Sequence, residues 1–150
     1  MGVIKAVCTS ITKGTPKKNV GDGFLVTGHG LAGDAHTGSW HRQVSLLAWE
    51  SIEKMRALGL EVGPGDFAEN ITTEGLNLVA LPVGTRLKVG PQAIGEVTQI
   101  GKECHAPCAI GRQAGSCIMP AEGIFIRILK SGPVRVGELI EVLQNQGFHE

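Results

Sequence analysis

The residues best suited to chemistry sit close together in GKECHAPCAIGRQAGSC, residues 101–117. This stretch holds Cys104, Cys108 and Cys117 together with His105, Lys102 and Arg112, while the fourth cysteine, Cys8, stands alone near the start. Clustered thiols have three uses: metal ligation, a disulfide, or a reactive nucleophile. Structural zinc usually shows two short Cys-x₂₋₄-Cys pairs, and the sequence has one, Cys104 and Cys108, so a zinc-holding scaffold stays an alternative. A disulfide in a reducing compartment would be transient or catalytic. A reactive thiol suits the neighbours better, because Lys102, His105 and Arg112 bring positive charge that favours thiolate. Thiolate is the form that attacks sulfur or binds a soft metal. The plainer reading is that a free cysteine is a good core residue, which would use one or two of the three.

Two other segments, 28–42 and 63–75, are polar and glycine-rich. The first supplies Asp34, His36, His41 and Arg42. An arginine ending such a loop can bind phosphate or carboxylate through two parallel hydrogen bonds, and glycines let backbone N–H groups approach an anion. A surface loop capped by Asp34 explains the same residues without a ligand. The second supplies Asp66, Glu69, Asn70, Thr72 and Thr73, of which Asp66 and Asn70 read as turn and cap residues.

The elements that must carry these segments are mostly strands. Expected strands are Val3 to Thr9, Phe24 to Thr27, Gln43 to Ala48, Asn70 to Thr73, Ala93 to Ile100 and Gly123 to Leu129, the last with Ile124, Ile126 and Ile128 on one face. Val83-Gly84 before TRLKV echoes Val136-Gly137 before ELIEV, each a turn feeding a strand that buries Leu87 and Val89 or Ile140 and Val142. Ser10 to Gly23, with three lysines, reads as an exposed loop. The one strong helix is Glu50 to Leu58, with Ile52, Met55 and Leu58 on one face and Gly59 just past its end. The 22 glycines, about twice the usual share, fit many tight turns between short strands.

Length and charge narrow the classes. The 150 residues suit a single domain, 1–150, able to bury its own core. With 14 Lys+Arg against 14 Asp+Glu there is no polybasic field for nucleic acid. No apolar run approaches the roughly 20 residues of a membrane helix, and MGVIKAVCTS has neither the basic start nor the apolar stretch of a secretory signal. A cytoplasmic protein that contacts no membrane is expected.

GLAGDAHTGSWHRQVSLLAWESI, then GDFAENITTEGLNL with LPVGTRLKVG, then EVTQIGKECHAPC and CIMPAEGIFIRIL resemble, in this order, the MOSC domain, named for the C-terminal part of molybdenum cofactor sulfurases. The resemblance implies a mainly β (α+β) fold, a closed or partly open β-barrel with one main helix and short helical turns. It also implies work on the molybdenum cofactor, whose organic part is molybdopterin, or on sulfur destined for it. Cys108, preceded by Pro107, matches the family's essential cysteine, which carries a persulfide or ligates molybdenum; Cys104, Cys117 and His105 accompany it. Asp34, His36 and Arg42 match the first motif, Asn70 and Thr72 the second. With Lys102 and Arg112 they are expected to shape the pocket and hold the pterin phosphate. Sulfurases join this domain to a pyridoxal-phosphate-dependent cysteine desulfurase, for which these 150 residues leave no room. Pyridoxal phosphate is therefore not expected on this chain, and a sulfur carrier would depend on a partner desulfurase or molybdoenzyme. The alternative is a module that binds or delivers the cofactor without turnover.

Overall fold

The computed structural model describes residues 1–12, 15–101 and 122–143. Its strands are β1 (Gly2–Thr9), β2 (Lys18–Asn19), β3 (Asp22–Val26), β4 (Gly30–Leu31), β5 (Val44–Ala48), β6 (Ile71–Glu74), β7 (Arg86–Val89), β8 (Ala93–Ile100), β9 (Ile124–Lys130), β10 (Gly132–Arg135) and β11 (Leu139–Val142). The helix α1 (Trp49–Ala57) follows β5 directly, and a short 3-10 turn spans Leu78–Ala80.

Seven strands close a barrel in the order β11-β7-β8-β9-β5-β6-β1, because β1 pairs back onto β11. Closure leaves no free edge among these staves. Every neighbour pair in the ring is antiparallel except β5–β6, whose parallel register needs a crossover, and α1 supplies it. β10, β3 and β4 form a separate three-stranded sheet. The two Val-Gly turns feed strands that lie side by side: Ile140 pairs with Val89 and Val142 with Leu87. Both turn glycines take positive φ, +98° at Gly84 and +94° at Gly137, where a side chain would be strained.

Alternation explains the two apolar layers. Ile4, Leu46, Leu87, Val97, Ile124 and Ile126 are buried together in one cluster inside the barrel. Their strand neighbours Leu47 and Phe125 point outward and pack with Ile52 and Met55 of α1 and with Val62 and Phe67. β5 is therefore buried on both faces, as its unbroken apolar run requires. Each fully buried Leu or Ile contributes about 1.5–3 kcal/mol relative to exposure.

The helix has Glu50 in its first turn, Lys54 and Arg56 in its last, and Gly59 beyond it at φ +96°, so its charges suit its dipole and its end is set by glycine. Three expectations need correcting. Leu58 is 73 % exposed, since the helix ends at Ala57 and turns the next residue outward. Val142 is 44 % exposed, while Ile140 is buried. The 10–23 stretch is not simply an exposed loop: it forms β2, and its Lys17 is 3 % exposed. Among the described residues, no helix is long and apolar enough to cross a membrane.

Candidate functional site

The loop before β5 divides into two unlike halves. In the first half Asp34 is buried and its carboxylate is fully used. Oδ1 accepts from Lys17 Nζ at 2.8 Å and from the Ser10 backbone N–H at 3.0 Å, and Oδ2 accepts from the His36 N–H at 3.1 Å. Lys17 Nζ also donates to Ser10 Oγ at 3.2 Å and lies 3.0 Å from His36 Nδ1. An ammonium has no lone pair, so Nδ1 accepts in that contact. Both side chains of the Lys17–Asp34 pair are 0 % exposed. Burial alone would raise the Asp34 carboxyl, but hydrogen bonds from Lys17, Ser10 and His36 outweigh it and hold the group below its ordinary 3.8.

The 63–75 segment is equally committed inward. Asn70 Oδ1 accepts from the Ser45 N–H at 3.0 Å and from Ser45 Oγ at 3.2 Å, while Nδ2 donates to the Cys8 carbonyl at 3.2 Å. This one amide ties together β1, β5 and the start of β6. Thr72 Oγ1 donates to Glu69 Oε2 at 2.7 Å, and Gly65 N–H donates to the same oxygen at 2.8 Å. Glu69 Oε1 has no partner among the described residues, and burial raises this carboxyl above its ordinary 4.5. Gly65 must be glycine: its φ is +89°, and a Cβ would lie 2.0 Å from the Lys17 carbonyl. Asp66, read as a turn residue, accepts from Gly63 N–H at 2.8 Å and so forms that turn. Cys8, behind Gly65, has its thiol pushed up to about 12, first by burial and then by the Glu69 charge. It stays protonated near neutrality and is no nucleophile.

The second half of the loop is different. Residues 39–42 cross the outer face of β9 and reach β8. The Thr98 hydroxyl donates to the His41 carbonyl, and Gln99 Oε1 accepts from Arg42 Nε at 3.0 Å and contacts His41 Nε2 at 2.9 Å. The Arg42 guanidinium lies 5.3 Å from the Phe125 ring centroid and 5.9 Å from that of Trp40. Neither Nη group has a hydrogen-bond partner among the described residues. A cation held by one edge, flanked by rings and with its fork unspent among the described residues has the chemistry to hold an anion. The local cause is a β-bulge: Val97 pairs with Ile126 and Gln99 with Phe125, leaving Thr98 as the extra residue. The bulge sets Gln99 opposite outward-facing Phe125, under Arg42.

A cleft of about 500 Å³ opens beside this cluster, lined by Trp40, His41, Val83, Glu96, Thr98 and Arg127 among others. A larger one, about 790 Å³, lies between α1 and the turn after β6. The charged groups there mostly satisfy one another: Glu122 accepts from Ser51 at 2.5 Å and Lys54 at 2.6 Å, and Glu50 accepts from Gly75 N–H. The smaller cleft is lined by Trp40, His41 and Thr98 of this cluster but not by Arg42, and its charged residues Arg127 and Glu96 pair with each other.

The cluster also reaches Gly101, the last described residue before 102–121. Gln99 Nε2 donates to the Gly101 carbonyl at 2.7 Å, and Gly101 N–H donates to the Gly123 carbonyl at 2.6 Å. Cys104, His105, Cys108, Cys117, Lys102 and Arg112 lie outside the described residues. Among the described residues no group of three or more His, Cys, Asp or Glu is placed to hold a metal. Of the described candidates, Asp34 and His36 meet at Lys17, Asn70 and Thr72 are buried in the 63–75 network, and Arg42 stands apart with Gln99 and His41. Lys17 and Gln99 escaped sequence reading. The one signal for Gln99 was its place two residues before Gly101 in EVTQIG.

No curated protein matches the chain by sequence. Solved structures do match in fold. The YuaD protein of Bacillus subtilis superposes with a TM-score of 0.74 at 19 % identity, over 94 % of each chain. YiiM of Geobacillus stearothermophilus gives 0.63 at 16 % identity, over 99 % of this chain and 75 % of that one. YiiM of Escherichia coli gives 0.63 at 20 %, over 96 % and 70 %. The family profile described as MOSC domain matches residues 33–141, which include the loop bearing Arg42, most of the barrel and the cysteine-rich segment. The chain belongs to the MOSC domain family.

Proposed function

We propose that the protein is a sulfur carrier in molybdenum cofactor metabolism. In this reading the Cys108 thiolate attacks the terminal sulfur of a persulfide on a pyridoxal-phosphate-dependent cysteine desulfurase. A new S–S bond forms at Cys108 and the donor's thiolate leaves. An acceptor's nucleophile then takes the outer sulfur, the S–S bond breaks and the Cys108 thiolate leaves; where the acceptor is the cofactor and the sulfur ends as sulfide, an external thiol supplies the two electrons and becomes a disulfide. One observation carries the reading: the unspent Arg42 fork is tied through Gln99 to Gly101, where the chain leaves β8 for the cysteine segment. An anionic acceptor seated on Arg42 would lie beside the start of the segment that holds the thiol.

The test is intact mass after incubation with a cysteine desulfurase and free cysteine, alongside Cys108→Ser. The expected result is a reducible gain of one sulfur atom on the wild type alone. No gain, or a gain that survives the substitution, overturns the carrier.

The same fork favours a second reading, a module that holds the cofactor without turnover. Asp34, Asn70 and Thr72 have their donors and acceptors engaged inside the protein, so among the described candidates a pterin phosphate would fall to Arg42. Molybdenum bound there would supply a soft metal centre for a thiolate. Protein purified from a molybdenum-replete host would carry pterin fluorescence on this reading, and its absence would remove it.

A further inference from the structure

We infer that Gln99 is the positioning residue of the anion site, an inference that rests on reading Arg42 as the anchor. A single amide oxygen serves two donors, Arg42 Nε at 3.0 Å and His41 Nε2 at 2.9 Å. A carbonyl oxygen only accepts, so His41 carries a proton on Nε2, and in the neutral ring Nδ1 is then the acceptor. The amide cannot flip. Its Nε2 donates to the Gly101 carbonyl at 2.7 Å, and reversal would set NH₂ against two donors and oxygen against oxygen.

The direction of Arg42 follows. Its Nε edge is fixed by Gln99, and the rings of Phe125 and Trp40 flank the guanidinium, which leaves the two Nη groups for a ligand. The main chain of His41 is held separately by the Thr98 hydroxyl, so Gln99 acts on side chains that are already in place. A neutral amide is the chemistry such a site needs. A carboxylate at position 99 would accept from the same donors, yet it would offset the Arg42 charge and face the Gly101 carbonyl with a second acceptor. The ligand class is an oxyanion small enough to share two parallel N–H donors, such as a phosphate group.

The experiment uses inorganic phosphate as the probe, titrated into ¹⁵N-labelled full chain and followed on the Arg42 Nε–H resonance and by calorimetry. Wild type is expected to show an Arg42 Nε–H protected from solvent exchange. In Gln99→Leu that protection disappears and phosphate binds roughly tenfold more weakly, the size of one hydrogen bond to a charged group. Gln99→Glu restores the protected Nε–H yet still binds phosphate more weakly than wild type, which a merely structural role for Gln99 would not produce. If Gln99→Leu fails to fold, Gln99→Asn, one methylene shorter, keeps polarity and is expected to lose the protected Nε–H and the affinity together. Wild-type affinity in folded Gln99→Leu or Gln99→Asn, with binding lost in Arg42→Ala, overturns the role of Gln99 and leaves Arg42 as the anchor. Wild-type affinity in Arg42→Ala overturns the anchor and this inference with it.

Discussion

Asp34 and Arg42 stand eight residues apart in one loop, yet they do opposite work. Around Asp34 the hydrogen-bonding groups close on themselves: carboxylate, ammonium, serine and histidine are bonded to one another, and the ion pair at their centre is sealed from water. Around Arg42 one amide oxygen accepts from Arg42 Nε and His41 Nε2, and the two Nη groups have no hydrogen-bond partner among the described residues. The first arrangement fastens the loop to the end of β1; the second presents a charge. Satisfied polar groups make structure, and unsatisfied ones within reach of solvent make sites.

Substitution should break the comparison in opposite ways. Lys17→Met leaves a buried carboxylate without its counter-ion and is expected to cost about 3–5 kcal/mol in urea unfolding. Adding Asp34→Asn to it should recover part of that loss. Arg42→Ala should cost about 1 kcal/mol, from its contacts over the rings, while removing anion binding. Equal losses of stability from Lys17→Met and Arg42→Ala would erase the distinction.

The pH dependence sharpens it further. Asp34 is held below 3.8, so the stability it contributes is present above that value and is lost as pH falls through its folded pKa. Glu69 is raised above 4.5, so its contribution is complete below 4.5 and is lost as pH rises through its folded pKa. Urea midpoints from about pH 3 to pH 8 should fall on both sides of a maximum on account of these two groups. Glu69→Gln should flatten the limb above 4.5 and leave the acid limb in place. The smallest effect concerns Cys8. With its thiol pushed up to about 12, it should resist iodoacetamide at pH 8 in the folded protein and react once urea unfolds it, as mass spectrometry of the Cys8 peptide would show.

Much of the barrel was legible in the sequence. β8 runs from Ala93 to Ile100 as the alternation indicates, the three isoleucines of β9 share the interior, and Gly59 ends the helix. These are local signals: period, apolar face and a glycine at a helix end. Burial of Lys17 was not legible, because a lysine among glycines and a proline has the composition of a solvated loop. Its partner lies 17 residues on, and only tertiary folding brings them together. Arg42 announced itself at the end of a glycine-rich loop. Gln99 did not, since a glutamine in an alternating strand reads as one more outward polar residue, and the bulge that turns it toward Arg42 leaves no mark in composition. Asn70 was visible as a polar residue, but its service to three strands depends on the parallel pairing of β5 with β6.

The stave that completes the ring, β11, is the last of the described strands in chain order, and it joins β7 on one side and β1 on the other. During synthesis the ribosome therefore delivers both receiving edges before the segment that covers them. Until Leu139–Val142 emerges, β1 and β7 present unpaired backbone to any passing strand, and such edges invite association between chains.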